Sequence, residues 1–151
     1  MRGIDPVPMS EKIDRLCDQL RIKLHGIDRR LQALKGNNSV TSEKSRHLVE
    51  SQMDSVQQRI FERRHRVEAA NASVAEWIEK RAVFDDQDPS WKDSADLSRL
   101  EARANDVEGY ATAVFELAVA AADEAAQAAL EALLARKDAE LAAFRQRRTE
   151  G

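Results

Sequence analysis

The chain has 151 residues, of which 34% are charged, 42% hydrophobic and 5% aromatic, with 5 Gly, 3 Pro and 1 Cys. At about 100 to 200 residues per domain this length holds one domain, and so little Gly and Pro excludes a multi-stranded β fold for want of turn residues. The net charge of −3 also excludes the strong positive excess that coats phosphate backbones.

The charge is unevenly spread. Residues 1–81 hold 16 Lys plus Arg against 12 Asp plus Glu, and residues 82–151 hold 8 against 15, giving halves of +4 and −7. Opposite signs suit halves that pack on each other better than they suit a basic binding face. The one cysteine, Cys17, permits no intrachain disulfide, and no basic segment leads into the apolar stretch of a secretory signal, so a cytoplasmic location is expected. The most apolar run, 113–122, carries Glu116 and falls short of the ~18 to 20 residues of a membrane span.

In chain order, residues 1–9 contain Pro6 and Pro8 and are expected as an extended arm, since each proline disfavours helix for itself and its predecessor. Met9 before Ser10 would also serve as a start, with the preceding residues a cloning remnant. The first helix, about 10–35, opens on Ser10 as N-cap. It carries Ile13, Leu16, Leu20, Leu24, Ile27, Leu31 and Leu34 at steps of three and four, a narrow stripe on one face. Gly26 costs about 1 kcal/mol there relative to Ala, as a close helix contact or a tolerated weakness. Gly36 and the two asparagines after it stop the helix.

The second helix, about 41–82, has the clearest heptad in the chain: Val49, Met53, Val56, Ile60, Arg63, Val67, Ala70, Val74 and Trp77. A sustained 3.5-residue repeat predicts a supercoiled seam. Arg63 occupies a seam position, where a single charge fixes register by pairing with an acid on the last helix. After a break at 85–91, the third helix, about 96–148, runs without Pro. Its start is capped by Ser98 with Glu101 in capping-box spacing, or one turn earlier by Ser94 or Asp96. Its seam reads Leu97, Leu100, Ala104, Val107, Ala111, Val114, Ala118, Ala121, Ala125, Ala128 and Ala132.

Short connections make successive helices antiparallel. The expected fold is therefore all-α, an elongated antiparallel three-helix coiled-coil bundle forming a single domain over 10–148. Aligning 81 with 97 leaves the second helix longer than its first partner, so Ala70, Val74, Trp77, Ile78, Leu97, Leu100 and Val107 lack a third helix. Ile4 and Val7 of the arm fill that groove, or a second chain does. Phe84 and Trp91 bracket the acidic break and belong to the same end. The partner-binding residues are thus expected to be Ala70, Val74, Trp77, Ile78, Phe84, Trp91, Leu97 and Leu100.

Other chemistry is sparse. Glu62 and His65 have the spacing of helical di-iron ligands, but one such motif occurs where two are needed. His25, His47 and His65 lie near no nucleophile at a triad spacing, so neither an enzyme nor a cofactor is expected. Arg59, Arg63 and Arg66, with Arg64 beside them, form a helical row that suits nucleic-acid phosphates, though Glu62 and Glu68 interrupt it; Arg145, Arg147 and Arg148 equally suit a helix C-terminus. Asp85, Asp86, Asp88 and Asp93 lack the Gly and Glu of a calcium loop. A lipid- or granule-surface role conflicts with Glu116, Asp123, Glu124 and Glu131, which stand without a base between them. The expected function is a non-enzymatic interaction or scaffold protein, expected to self-associate as a homodimer, that docks a partner helix or second subunit at the apolar groove. The alternatives are nucleic-acid association through the arginine row and, behind it, metal binding or surface coating.

Overall fold

A computed structural model describes residues 10–36, 43–85 and 96–150. All secondary structure among them is helical, in four elements: α1 (Glu11–Gly36), α2 (Glu43–Glu62), α3 (Arg64–Asp85) and α4 (Leu97–Glu150). The expected arm at 1–9 and most of the acidic break lie outside the described residues. Among those residues no helix is long and apolar enough to cross a membrane.

Local chemistry sets the helix ends. The Ile13 N–H donates to Ser10 Oγ at 3.2 Å, which satisfies one of the free amides of the first turn as the sequence predicts. At α4 the Arg99 N–H donates to Asp96 Oδ1 at 2.9 Å. Asp96 is therefore the cap, and Ser98 lies inside the helix rather than at its boundary. The helix expected over 41–82 is interrupted at Arg63 into α2 and α3. Neither Gly nor Pro causes this. The Arg63 N–H still donates to the Arg59 carbonyl at 3.1 Å, and the interruption coincides with the one seam position whose side chain is drawn to a buried acid.

Backbone proximity divides the chain into two compact units, Met1–Arg21 with His65–Val119, and Ile22–Arg64 with Ala120–Gly151. In the second, parts of three helices share one core. Leu34, Val49, Val56, Ala126 and Leu130 are buried, with Ile27, Leu31, Met53, Ile60, Leu133 and Leu134 packed against them. α2 runs antiparallel to α4 here: Arg46 meets Asp138 while Arg59 and Arg63 meet Asp123.

In the first unit Trp77 of α3 stacks on Tyr110 of α4, ring centroids 4.1 Å apart and planes 18° from parallel. Arg81 adds a cation over the Trp77 ring at 5.3 Å. The sequence alignment of 81 with 97 placed Trp77 near Glu101, so the true register is displaced along α4. An aromatic stack contributes about 0.5–1.5 kcal/mol beyond its buried area, and neighbouring alanines offer no competing preference. With Trp77 level with Tyr110, the last residue of α3 comes level with about residue 102 of α4. Leu97 and Leu100 therefore lie before the α3 overlap begins.

Two seams are also corrected. Leu24, placed on the α1 stripe by its hydrophobicity, is 50% exposed, while Lys23 turns inward. On α4, Ala121, Ala125, Ala128 and Ala132 are exposed; the buried positions are Ala113, Ala122, Asp123, Ala126, Leu130 and Lys137. One step along a helix rotates a side chain by about 100°. In an alanine-rich stretch adjacent faces differ so little in apolar content that the leucines and two inward charges decide.

Candidate functional site

Two features rise above ordinary packing, one in each unit. In the unit Ile22–Arg64 with Ala120–Gly151 it is a polar clasp around Asp123, a side chain with no exposed surface. Lys23 Nζ lies 2.6 Å from Asp123 Oδ1, Arg59 Nε 3.6 Å from the same oxygen, and Arg63 Nε 3.7 Å from Oδ2. Three cations, from α1, from α2 and from the residue that follows α2, thus converge on one carboxylate of α4. Despite these short distances, neither carboxylate oxygen is aligned with a hydrogen-bond donor, and Arg59 Nε and Nη2 are likewise buried without an acceptor. The interaction is electrostatic more than directional, and a buried charge of this kind is tolerated only because opposite charges surround it.

This clasp realises the expected pairing of Arg63 with an acid on the last helix. It also redirects the arginine row: Arg59 and Arg63 point at Asp123 with side chains only 28% and 26% exposed, so they do not form an open guanidinium ladder with Arg66. The sequence reading missed Asp123 and Lys23 because it sought apolar seams. The available signal was the isolation of Asp123 and Glu124 within a long alanine run, where one of two adjacent acids must turn toward the core side.

Lower in the same unit, Lys137 is buried and its Nζ donates to Ser45 Oγ at 2.7 Å. Nearby, Arg46 joins α2 to α4 by donating from Nε to Asp138 Oδ1 at 2.7 Å, and it also pairs with Glu50 at 2.9 Å. An open recess of about 520 Å³ runs beside them, lined by Arg46, His47, Glu50, Asp138, Leu141, Ala142 and Arg145. Both signs of charge line it, and its acids are engaged with Arg46, so it selects no particular ligand charge.

The groups proposed for metal chemistry are engaged locally. Glu62 Oε1 accepts from Gln58 Nε2 at 3.1 Å, and the almost fully exposed His65 stands 4.0 Å from Glu68. Among the described residues, no group of three or more His, Cys, Asp or Glu is placed to hold a metal ion. Cys17 is a free, half-buried thiol.

The second feature is an apolar strip in the unit Met1–Arg21 with His65–Val119. Of the expected partner-binding residues, Ala70 is buried at 5% exposure and so is spent on the interior, while Ile78, Leu97 and Leu100 are 56%, 71% and 50% exposed. Val74 and Trp77 are half-buried, the latter already held by Tyr110 and Arg81. Phe84 falls in the last turn of α3, and Trp91 lies outside the described residues. Val107, which belongs to the stretch expected to lack a third helix, is 40% exposed, and Val114, at 38% exposure, extends the strip along α4 beyond that stretch. Comparison with protein-family models, with curated proteins and with solved structures found no match to this chain.

Proposed function

We propose that this chain is a non-enzymatic helical interaction or scaffold protein, which docks a helix of another protein or of a second subunit along the apolar strip of α3 and α4. The observation that carries the proposal is the exposure of Leu97, Leu100, Ile78 and Val107 within one compact unit. Each large side chain of this kind stabilises a complex by about 1.5–3 kcal/mol when fully buried. Regularly spaced apolar anchors on a helix are the signature of helix-in-groove recognition.

The packing mode of the proposal is an antiparallel three-helix coiled coil, with α2 and α3 as two parts of its middle helix. In its support, every heptad position from Val49 to Trp77 is buried or half-buried. The partner-facing set is Val74, Trp77, Ile78, Phe84, Trp91, Leu97 and Leu100, beside the buried Ala70. A cytoplasmic setting belongs to the same proposal, on the single free thiol of Cys17.

The test is Leu97→Asp combined with Leu100→Asp. Both side chains are at least half exposed, so the fold is expected to keep its melting temperature within the small range of surface substitutions. Self-association or capture of a partner helix should be lost. Unchanged sedimentation together with unchanged partner capture would overturn the proposal.

A further inference from the structure

The two compact units differ in the sign of their charge. Ile22–Arg64 with Ala120–Gly151 holds 14 Lys plus Arg against 11 Asp plus Glu, a balance of +3. Met1–Arg21 with His65–Val119 holds 10 against 16, a balance of −6. The positive excess of the first unit gathers at one end. Because Arg46 meets Asp138 and Ser45 meets Lys137, the start of α2 comes level with about residue 140 of α4. The rest of α4, to Glu150, therefore runs about 15 Å past the start of α2. This overhang carries Arg145, Arg147 and Arg148 against Glu150 alone.

These cations are not spent inside the protein. Among the described residues Lys44, Arg136, Arg145, Arg147 and Arg148 are exposed and enter no ion pair, whereas the nearby acids Glu50 and Asp138 are held by Arg46. The helix dipole accounts for Arg147 and Arg148 in the last turn of α4, but it disfavours Lys44 in the first turn of α2.

The face they share selects the ligand. Leu141, Phe144, Arg145 and Arg148 fall within about 100° of arc on α4, and Glu140 and Glu150 fall outside that arc. Phe144 is 47% exposed, and the Arg148 guanidinium stands 6.0 Å from the centre of its ring. Guanidinium forks match phosphate oxygens, and an exposed aromatic beside them is a platform on which an unpaired base stacks. A lipid surface requires a wider apolar face than Leu141 and Phe144 supply. The bases of a duplex are already stacked on one another, and an acidic peptide would use the arginines alone.

Going beyond the docking role proposed above, we propose that the overhang of α4, through Phe144, Arg145 and Arg148, is a binding surface for single-stranded nucleic acid. The two arginines hold phosphates while a base lies on the side of the Phe144 ring away from Arg148. The surface belongs to the other unit from the apolar strip, so the two roles stand or fall separately.

Fluorescence anisotropy of a labelled single-stranded oligonucleotide, titrated with the full chain at low salt, tests this. Binding should weaken about twentyfold between about 50 and about 200 mM salt, the response of about three phosphate contacts on a single strand. Phe144→Ala should weaken it about tenfold through lost stacking, and Arg148→Glu about tenfold through a lost phosphate contact. Arg99→Glu makes the same charge change at an exposed position of the other unit and should stay within about twofold of the parent.

No anisotropy change at low salt would overturn the proposal. Equal losses from Arg99→Glu and Arg148→Glu would reduce it to diffuse attraction and overturn the site. Duplex binding as tight as single-strand binding, with no effect of Phe144→Ala, would overturn the stacking assignment. Capture by phosphatidylserine vesicles without oligonucleotide binding, or low-salt self-association lost in Arg148→Glu, would assign the overhang to a membrane or to acids of a second copy instead.

Discussion

Replacing Asp123 by Asn keeps the shape of the side chain and removes its charge, leaving Lys23, Arg59 and Arg63 converging on a neutral group. Breaking a buried ion pair by removing one partner costs about 3–5 kcal/mol, because the remaining charge stays desolvated. Here the three cations are 17%, 28% and 26% exposed, so each retains a route to water and the low end applies, about 3 kcal/mol. At roughly 2–4 °C per kcal/mol for a chain of this size, the melting temperature should fall by about 6–12 °C. Lys23→Met removes one cation of three and leaves the carboxylate with two, so about 1 kcal/mol is expected. Urea titrations followed by far-ultraviolet circular dichroism measure both. An Asp123→Asn variant within about 0.5 kcal/mol of the parent, or a Lys23→Met variant costing as much as Asp123→Asn, would refute the clasp as the organiser of these three helices.

Three further outcomes are expected. A Cβ added at Gly26 or at Gly109 meets nothing within 4 Å, so Gly26→Ala and Gly109→Ala should each stabilise the helix by about 0.5–1 kcal/mol in thermal melts; destabilisation would show a contact that the structure lacks. Ala126→Leu forces a larger side chain into a position 4% exposed and should cost about 1–3 kcal/mol, whereas Ala125→Leu, on the exposed face, should stay within about 0.5 kcal/mol. The reverse order would restore the seam expected from sequence. Ser45→Ala strands the buried Lys137 ammonium without the hydroxyl oxygen that accepts from it, and a loss of about 1–3 kcal/mol in denaturant melts is expected; a neutral result would mean that Lys137 finds water.

The all-helical architecture was legible in the residues themselves. Helix-forming composition, the stop at Gly36, and the heptad from Val49 to Trp77 are local properties, decided within a few turns of chain. The seam of that heptad stands out because large branched side chains alternate with charges, so its rotation about the helix axis has one low-energy answer. The role of Arg63 followed from the same contrast, since a charge at a seam position requires a counter-charge wherever the chain goes.

What sequence left undetermined is how far one helix slides and turns against another. Along α4 the alanines bury similar small areas on adjacent faces, so local preference cannot choose between them. Leu130, Leu133 and Leu134 joining the core that holds Leu34, Val49 and Val56, and the pull of three cations on Asp123, settle the rotation. For the same reason Lys23 displaced Leu24 from the interior: the energy of meeting Asp123 exists only once α1 and α4 are side by side. The register of α3 on α4 belongs to this class too. It rests on Trp77 finding Tyr110, 33 positions further along the chain, a non-local contact whose gain appears only after the helices have come together, and with it the bareness of Leu97 and Leu100 is fixed.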